Sequence, residues 1–472
     1  MALIKDVVAE LMQKQLDYDK KAQSPQVIED CLKRYGELLD ITPDDPLIIA
    51  QTGTGNLQLG RFGIAIQFFK RALSYLPANP HIWSNLGVCL RSLHRLREAR
   101  DAFMKSLQLK ENAETYSNMA ACYINENCPE QGIKYAKRAM AMMPDNAKPK
   151  WNASLLYLEA GDWEKAFQLY DSGFFCNERP LRYYSNDHKH DVPWWDGTEG
   201  LTVGMWDEQG LGDRLLMYNL LREVEGKINV ILECHPRLEG IVRRSFPWAT
   251  VFPTSKDEFI GWRKGFKLEA KMPVMSLARM YWSGGNFNRT PYIKPDPELV
   301  AHYRAEMEKL GPGPYICFSW AGGSRKTNTE YRSLKLGWFE PLIRTGGTWL
   351  SMQYHDFARG KVERFREEKK LPVFHLDAAQ EFNFDHTLAA LAAADLTVSA
   401  CNTVIHCCGA AGLPCWVLVP TRRAWRYPSG PHLPWYGDNV VQYHQEKDND
   451  WAGVLGRVCA DLQRWHQERR AA

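Results

Sequence analysis

The sequence predicts an α-helical solenoid followed by two α/β units, each built on a parallel sheet. Three observations carry this. Small residues recur every 33 or 34 positions through the first third of the chain. From Leu201 to Cys234, an apolar run, a glycine-rich turn, a helical stretch and a second apolar run succeed one another. From Ile316 to Pro420, apolar runs break abruptly into small, polar or basic residues, in ICFSWAGGSRKTNTEYRSL and in DLTVSACNTVIHCCGAAGLPCWVLVP.

The helical region covers residues 1–175. Ala65, Ala99, Gly132 and Ala166 lie 34, 33 and 34 residues apart. Twelve residues before each stands another small residue (Gly53, Gly87, Ala120, Ser154), and seven after each stands a third (Ala72, Ser106, Ala139, Gly173). Pro77 and Pro144 close two of the units, and Pro43 closes a partial earlier one. Paired helices approach closely only where small side chains occupy the crossing points, with bulky residues filling the gaps between. This pattern resembles tetratricopeptide repeats, which stack into a superhelix with a concave face. Such repeats bind peptide segments or self-associate, so the resemblance implies a protein or peptide partner, or oligomerisation through the repeats. Tyr116, Asn118 and Asn152 sit on first helices, where they line a groove or serve packing.

Composition bounds the rest. A chain of 472 residues suggests about three domains at roughly 150 residues each. Its net charge of +3 is too small to make nucleic acid or acidic lipid the main partner. The opening MALIKDVVAELMQKQLDYDKK lacks the apolar core of a signal peptide and reads as an amphipathic helix. No window approaches the roughly 18 uncharged apolar residues of a membrane span. The twelve cysteines are scattered and read as reduced thiols of a cytoplasmic protein.

Residues 176–199 form a polar, aromatic junction. His188 and His190 alternate there, but no Cys or carboxylate set accompanies them, so no metal site is expected. Pro193, Trp194 and Trp195 are expected to seal the repeat region onto the α/β portion.

Residues 200–300 form the first α/β unit. LTVGM is a strand, residues 208–213 a turn, Arg214 to Val224 a helix and INVILEC the next strand. This crossover implies a parallel sheet. TVFP and PVMSL are further strand candidates. The second unit, residues 301–472, has strands in PYICFSW, TWLSMQY, PVFHL, LTVSA and PCWVLVP. Two such units leave a cleft at the carboxyl ends of their strands.

Several residues at those ends suit an anion. Residues 399–403 end a strand and start a helix, so first-turn amides and the helix dipole favour a diphosphate. Asn402 and Thr403 offer side-chain donors. Lys326 and Arg332 lie just past a strand end and can neutralise phosphate charge, with a structural salt bridge the alternative for Arg332. Gly210 and Gly212, like Gly322, Gly323 and Ser324, permit close approach of backbone to a ligand. Ser319 and Trp320 border the second loop.

The turn GLGD, the segment FSWAGGSRKT…YRSL and the segment DLTVSACNTVIHCCGAAGLPCWVLVP, in that order, resemble glycosyltransferases of the two-Rossmann (GT-B) type. The closest likeness is to the ADP-heptose–lipopolysaccharide heptosyltransferase family, and the O-linked N-acetylglucosamine transferases share the broad plan. The resemblance implies inverting, metal-independent transfer of a sugar from a nucleotide-diphosphate donor, with no cofactor beyond that donor. No DxD-type carboxylate pair stands at a strand end, which agrees with this. Asp213 is then the general base, with Glu208 in reserve; a helix N-cap is the alternative for Asp213. His406 contacts sugar or phosphate, or is a satisfied core histidine. Trp425 and Arg426 stack on a base or sugar, or pack the domain. Many relatives carry Asp-Thr where this chain has Cys401-Asn402. That departure either alters which sugar hydroxyls are held or signals lost activity. The alternative to an enzyme is a repeat scaffold whose glycosyltransferase-like module binds a ligand or partner without turnover.

Overall fold

The computed structural model describes residues 2–17, 24–179, 191–254, 265–282, 288–322, 329–355, 357–448 and 450–471. The chain divides into two compact units, Met1–Arg179 and Pro180–Ala472. His188, His190, Gly323, Ser324 and Lys326 lie outside the described residues.

The first unit is a helical solenoid. Helices Pro46–Gln58 and Phe62–Tyr75 pair, as do Pro80–Ser92 with Leu96–Leu109, Ala113–Glu126 with Pro129–Met142, and Ala147–Ala160 with Trp163–Tyr170. Helices Ala2–Leu16 and Gln26–Ile41 precede them. Each first helix of a pair starts on a capping side chain. Asp45 Oδ1 accepts from Leu47 N at 2.9 Å, Asn79 Oδ1 from His81 N at 3.0 Å, Asn112 Oδ1 from Thr115 N at 3.0 Å and Asn146 Oδ1 from Lys148 N at 2.9 Å. Proline at the first helical position, as Pro46 and Pro80, loses nothing because its missing N–H would have no partner in the helix. The crossing points are as tight as the spacing demands. A Cβ added to Gly87 would lie 2.6 Å from Phe103 Cε1, and one added to Gly132 would lie 2.5 Å from Leu156 Cδ2. Asn152 is buried and donates to Ser117 O at 3.0 Å and Ser117 Oγ at 2.9 Å, so it serves packing and does not line a groove.

The second unit holds two all-parallel sheets. The first orders β1 (Thr202–Trp206), β2 (Asn229–Cys234), β3 (Thr250–Pro253) and β4 (Ala270–Pro273) as β3-β2-β1-β4. The second orders β5 (Tyr315–Ser319), β6 (Thr348–Ser351), β7 (Val373–His375), β8 (Leu396–Ala400), β9 (Cys415–Val419) and β10 (Val440–His444) as β10-β9-β8-β5-β6-β7. Strands β5 and β8 are buried along their whole length, as expected when helices cover both faces. The direction in which successive strands are added reverses between β5 and β8 in the second sheet, and between β1 and β4 in the first. Connections diverge at such points and leave a crevice beyond the strand ends.

Three details differ from the sequence expectation. The strand expected at PVMSL ends at Pro273, and Val274–Leu277 form a 3₁₀ turn. The helix expected over Arg214 to Val224 is an α-helix at Leu211–Met217 that tightens to 3₁₀ over Tyr218–Val224. Strand β10 is an addition to the expected set. Trp195 runs alongside β4, its N–H donating to Lys271 O at 2.9 Å, so this part of the junction belongs to the first sheet.

Candidate functional site

The turns after β1 and β8 line one cavity of about 400 Å³. Each is built from strand-end geometry. After β1, Asp207 organises the chain. Its Oδ2 accepts from Tyr218 Oη at 2.5 Å and from His235 N at 2.9 Å, and its Oδ1 pairs with Arg214. Arg214 Nε in turn donates to Gln209 O at 3.0 Å, bracing a residue held at a φ of +68°. The short helix beyond it starts at Gly210 without a side-chain cap. Asp213 therefore stands in its first turn and is not the N-cap. Asp213 Oδ1 lies 2.8 Å from Arg426 Nη1, a charge pair that falls outside hydrogen-bond alignment.

After β8, Asn402 caps the helix Thr403–Ala411, its Oδ1 accepting from Val404 N at 3.0 Å. Its Nδ2 donates to Ser319 Oγ at 2.9 Å and Ala321 O at 3.3 Å. Both polar ends of this side chain are thus used inside the protein, and the expected Asn402 side-chain donor to a ligand is corrected to a tie between the ends of β5 and β8. Ser319 passes the link on, with its Oγ 3.0 Å from Gln353 Oε1.

The cavity brings together Gly210, Gly212, Asp213, Ser319, Arg332, Asn402, Thr403, His406 and Arg426 of the expected set. Arg332 lines it while its Nε donates to Gly322 O at 3.1 Å. Glu208, Gly322, Cys401 and Trp425 do not line it. Glu208 is buried beside the turn. A Cβ on Gly322 would lie 2.4 Å from Asn402 Cβ, so this glycine allows two loops to touch, not a ligand to approach. Cys401 turns inward, with Sγ 3.4 Å from Leu418 O, and burial pushes its thiol pKa up to about 12. Trp425 packs edge-on against Trp435 at 5.3 Å.

His406 is held on both sides, with Nδ1 2.9 Å from Tyr436 Oη and Nε2 3.2 Å from Tyr427 Oη. Burial, with Arg426 and Arg332 nearby, lowers its pKa to about 3, so the ring is neutral and donates from one nitrogen while accepting at the other. The expected contact of His406 with sugar or phosphate is corrected on this point: both ring nitrogens already have partners.

Arg237, Tyr354 and Phe384 also line the cavity and lie outside the set that the sequence marks. Arg237 Nε donates to Phe382 O at 2.9 Å, and its guanidinium lies 4.5 Å from the Phe384 ring centre. All three come after the carboxyl ends of β2, β6 or β7, a position that could have marked them. Three guanidinium groups thus meet one carboxylate in a space large enough for a small organic anion. Among the described residues, no group of three or more His, Cys, Asp or Glu is placed to hold a metal ion. No helix among them is long and apolar enough to cross a membrane, and no disulfide joins any of the twelve cysteines.

The tetratricopeptide repeat family model matches residues 52–114. Protein FlbA of Caulobacter vibrioides is 26% identical over 438 residues, covering 86% of this chain and 70% of that protein, so the likeness runs through both units. BBSome complex member BBS4 of Bos taurus is 25% identical over 141 residues, 30% of this chain and 27% of that protein. Among solved structures, that of MamA matches 32% of this chain and 90% of its own at 16% identity, with a TM-score of 0.30. The family match falls on the helix pairs described above, and the first unit is a tetratricopeptide-repeat solenoid.

Proposed function

We propose that the chain is a repeat scaffold joined to a ligand-binding module of Rossmann-like, GT-B type. Its cavity takes a phosphate-bearing small molecule, a nucleoside diphosphate or its sugar ester. One observation carries this reading: Arg237, Arg332 and Arg426 converge with the Asn402 helix start on a single cavity at the carboxyl ends of parallel strands. Guanidinium groups suit phosphate oxygens, and a helix N-terminus favours negative charge. Lys326 adds a further cation on this reading. The repeats supply a surface for a peptide or protein partner. Thermal unfolding in the presence of ADP, UDP, GDP and inorganic pyrophosphate tests it. Stabilisation by at least one of them, reduced in Arg332→Ala, is expected; no shift with any of them rejects a phosphate ligand.

Glycosyl transfer by the same site is the second reading, favoured by the placement of Asp213 on the cavity wall. A carboxylate there can accept the proton of an acceptor hydroxyl as the glycosidic bond forms and the nucleoside diphosphate leaves. Sugar release from nucleotide sugars by the purified protein is the readout. Turnover abolished in Asp213→Ala and in Lys326→Ala supports catalysis, whereas binding without turnover leaves the scaffold.

A further inference from the structure

The charge pair between Asp213 and Arg426 bears directly on how the cavity fills. Both side chains line it, and they are 15% and 20% exposed. The other two cavity cations are tethered to main-chain oxygens, Arg332 to Gly322 O and Arg237 to Phe382 O. Arg426 faces a carboxylate, and its guanidinium also lies 5.5 Å from the Trp425 ring centre. Its backbone is anchored, its carbonyl accepting from Trp435 Nε1 at 2.7 Å.

We propose that Arg426 is a counter-ion shared between Asp213 and the incoming phosphate. Without ligand it neutralises Asp213. A phosphate dianion competes for the same guanidinium, and capturing it releases the Asp213 carboxylate. Anion binding and exposure of that carboxylate are therefore coupled, and a ligand lacking phosphate leaves Asp213 paired. This inference rests on the reading that the cavity takes a phosphate group, and it assigns Arg426 a positioning role within that site. Coupling of this kind is reciprocal, so the carboxylate must oppose anion binding by as much as the anion opposes the pair.

Isothermal titration calorimetry of the full chain with inorganic pyrophosphate tests this through binding alone, whether or not the protein turns over a substrate. Asp213→Asn removes both the competitor and a repelling charge, and should tighten pyrophosphate binding about tenfold. Arg426→Gln should weaken it about tenfold, and in that background Asp213→Asn should change affinity by about threefold or less. Asp213→Ser is a second variant that keeps the turn free of charge. Weaker or unchanged binding in both Asp213 variants overturns the coupling, as does full tightening that persists in the double variant. A wild-type protein that takes up no pyrophosphate overturns both the coupling and the reading beneath it.

Discussion

A Cβ built on Gly212 would lie 2.7 Å from His406 Cδ2, so the turn after β1 and the helix after β8 meet where only glycine fits. The imidazole cannot swing aside, because Tyr436 and Tyr427 hold its two nitrogens. Gly212→Ala should therefore cost about 1–3 kcal/mol by overpacking. It should also displace the adjacent Asp213. Adding His406→Ala removes the obstructing ring and should recover part of the stability lost to Gly212→Ala. Unfolding measured on the four proteins of this cycle decides; strict additivity would mean that the two residues do not press on each other.

The depressed pKa of His406 predicts a pH dependence with a definite sign. The ordinary value is 6.5 and the folded value about 3. Between them the unfolded chain binds a proton that the folded chain refuses, so stability falls as pH is lowered through this window and is flat above it. From pH 7 to pH 5 the loss is about 2 kcal/mol. Burial also lowers His375 to about 4, which adds a similar slope. Comparing wild type with His406→Gln over this range isolates the His406 part: the variant should lose less stability on acidification, and parallel slopes would remove His406 from the account.

The repeats are legible in the sequence because their constraints are local. Small residues at helix crossings are a steric necessity, and the caps Asp45, Asn79, Asn112 and Asn146 repeat at the same spacing of 34, 33 and 34 residues. Strand β4 escapes a sequence reading because Lys271 lies within it, and a lysine reads as solvent-facing. Here its ammonium is buried, paired with Asp191 and packed near the Trp194 ring. Strand β10 carries Gln442, whose buried amide nitrogen donates to carbonyls of Pro428, Gly430 and His432 from a separate loop. The two cavity turns can be read because a strand end leading into small residues and a helix is a short-range signal. The meeting of Asp213 with Arg426 cannot, because folding brings together residues more than 200 positions apart.

Gly87 offers a test of the solenoid that does not involve the cavity. Its missing side chain makes room for Phe103, 2.6 Å from where a Cβ would stand, and Phe103 is fully buried. Gly87→Val should cost about 1–3 kcal/mol, more than the helix-propensity gain from replacing glycine can offset. Circular dichroism through thermal unfolding should show an earlier helical transition. The same change at Gly36, where nothing lies within 4 Å of an added Cβ, serves as the control and should leave the melt nearly unchanged.

Asn402 joins the two strand ends that frame the cavity, so its replacements separate capping from tethering. Asn402→Ala removes the acceptor for Val404 N and the donor to Ser319 Oγ and Ala321 O together. Loss of the cap alone costs about 1 kcal/mol, and leaving the buried Ser319 hydroxyl and the partly buried Ala321 carbonyl without this donor adds about 1–3 kcal/mol. Asn402→Asp keeps an oxygen for Val404 N but cannot donate when ionised, and it places a negative charge where a phosphate is proposed to rest. The aspartate variant should therefore recover part of the lost stability while weakening pyrophosphate binding more than the alanine variant does. Unfolding free energies and calorimetric affinities for both variants provide the check. If Asn402→Asp bound pyrophosphate as tightly as the wild type, the helix start would not be the phosphate subsite, and the ligand would have to sit nearer Arg237.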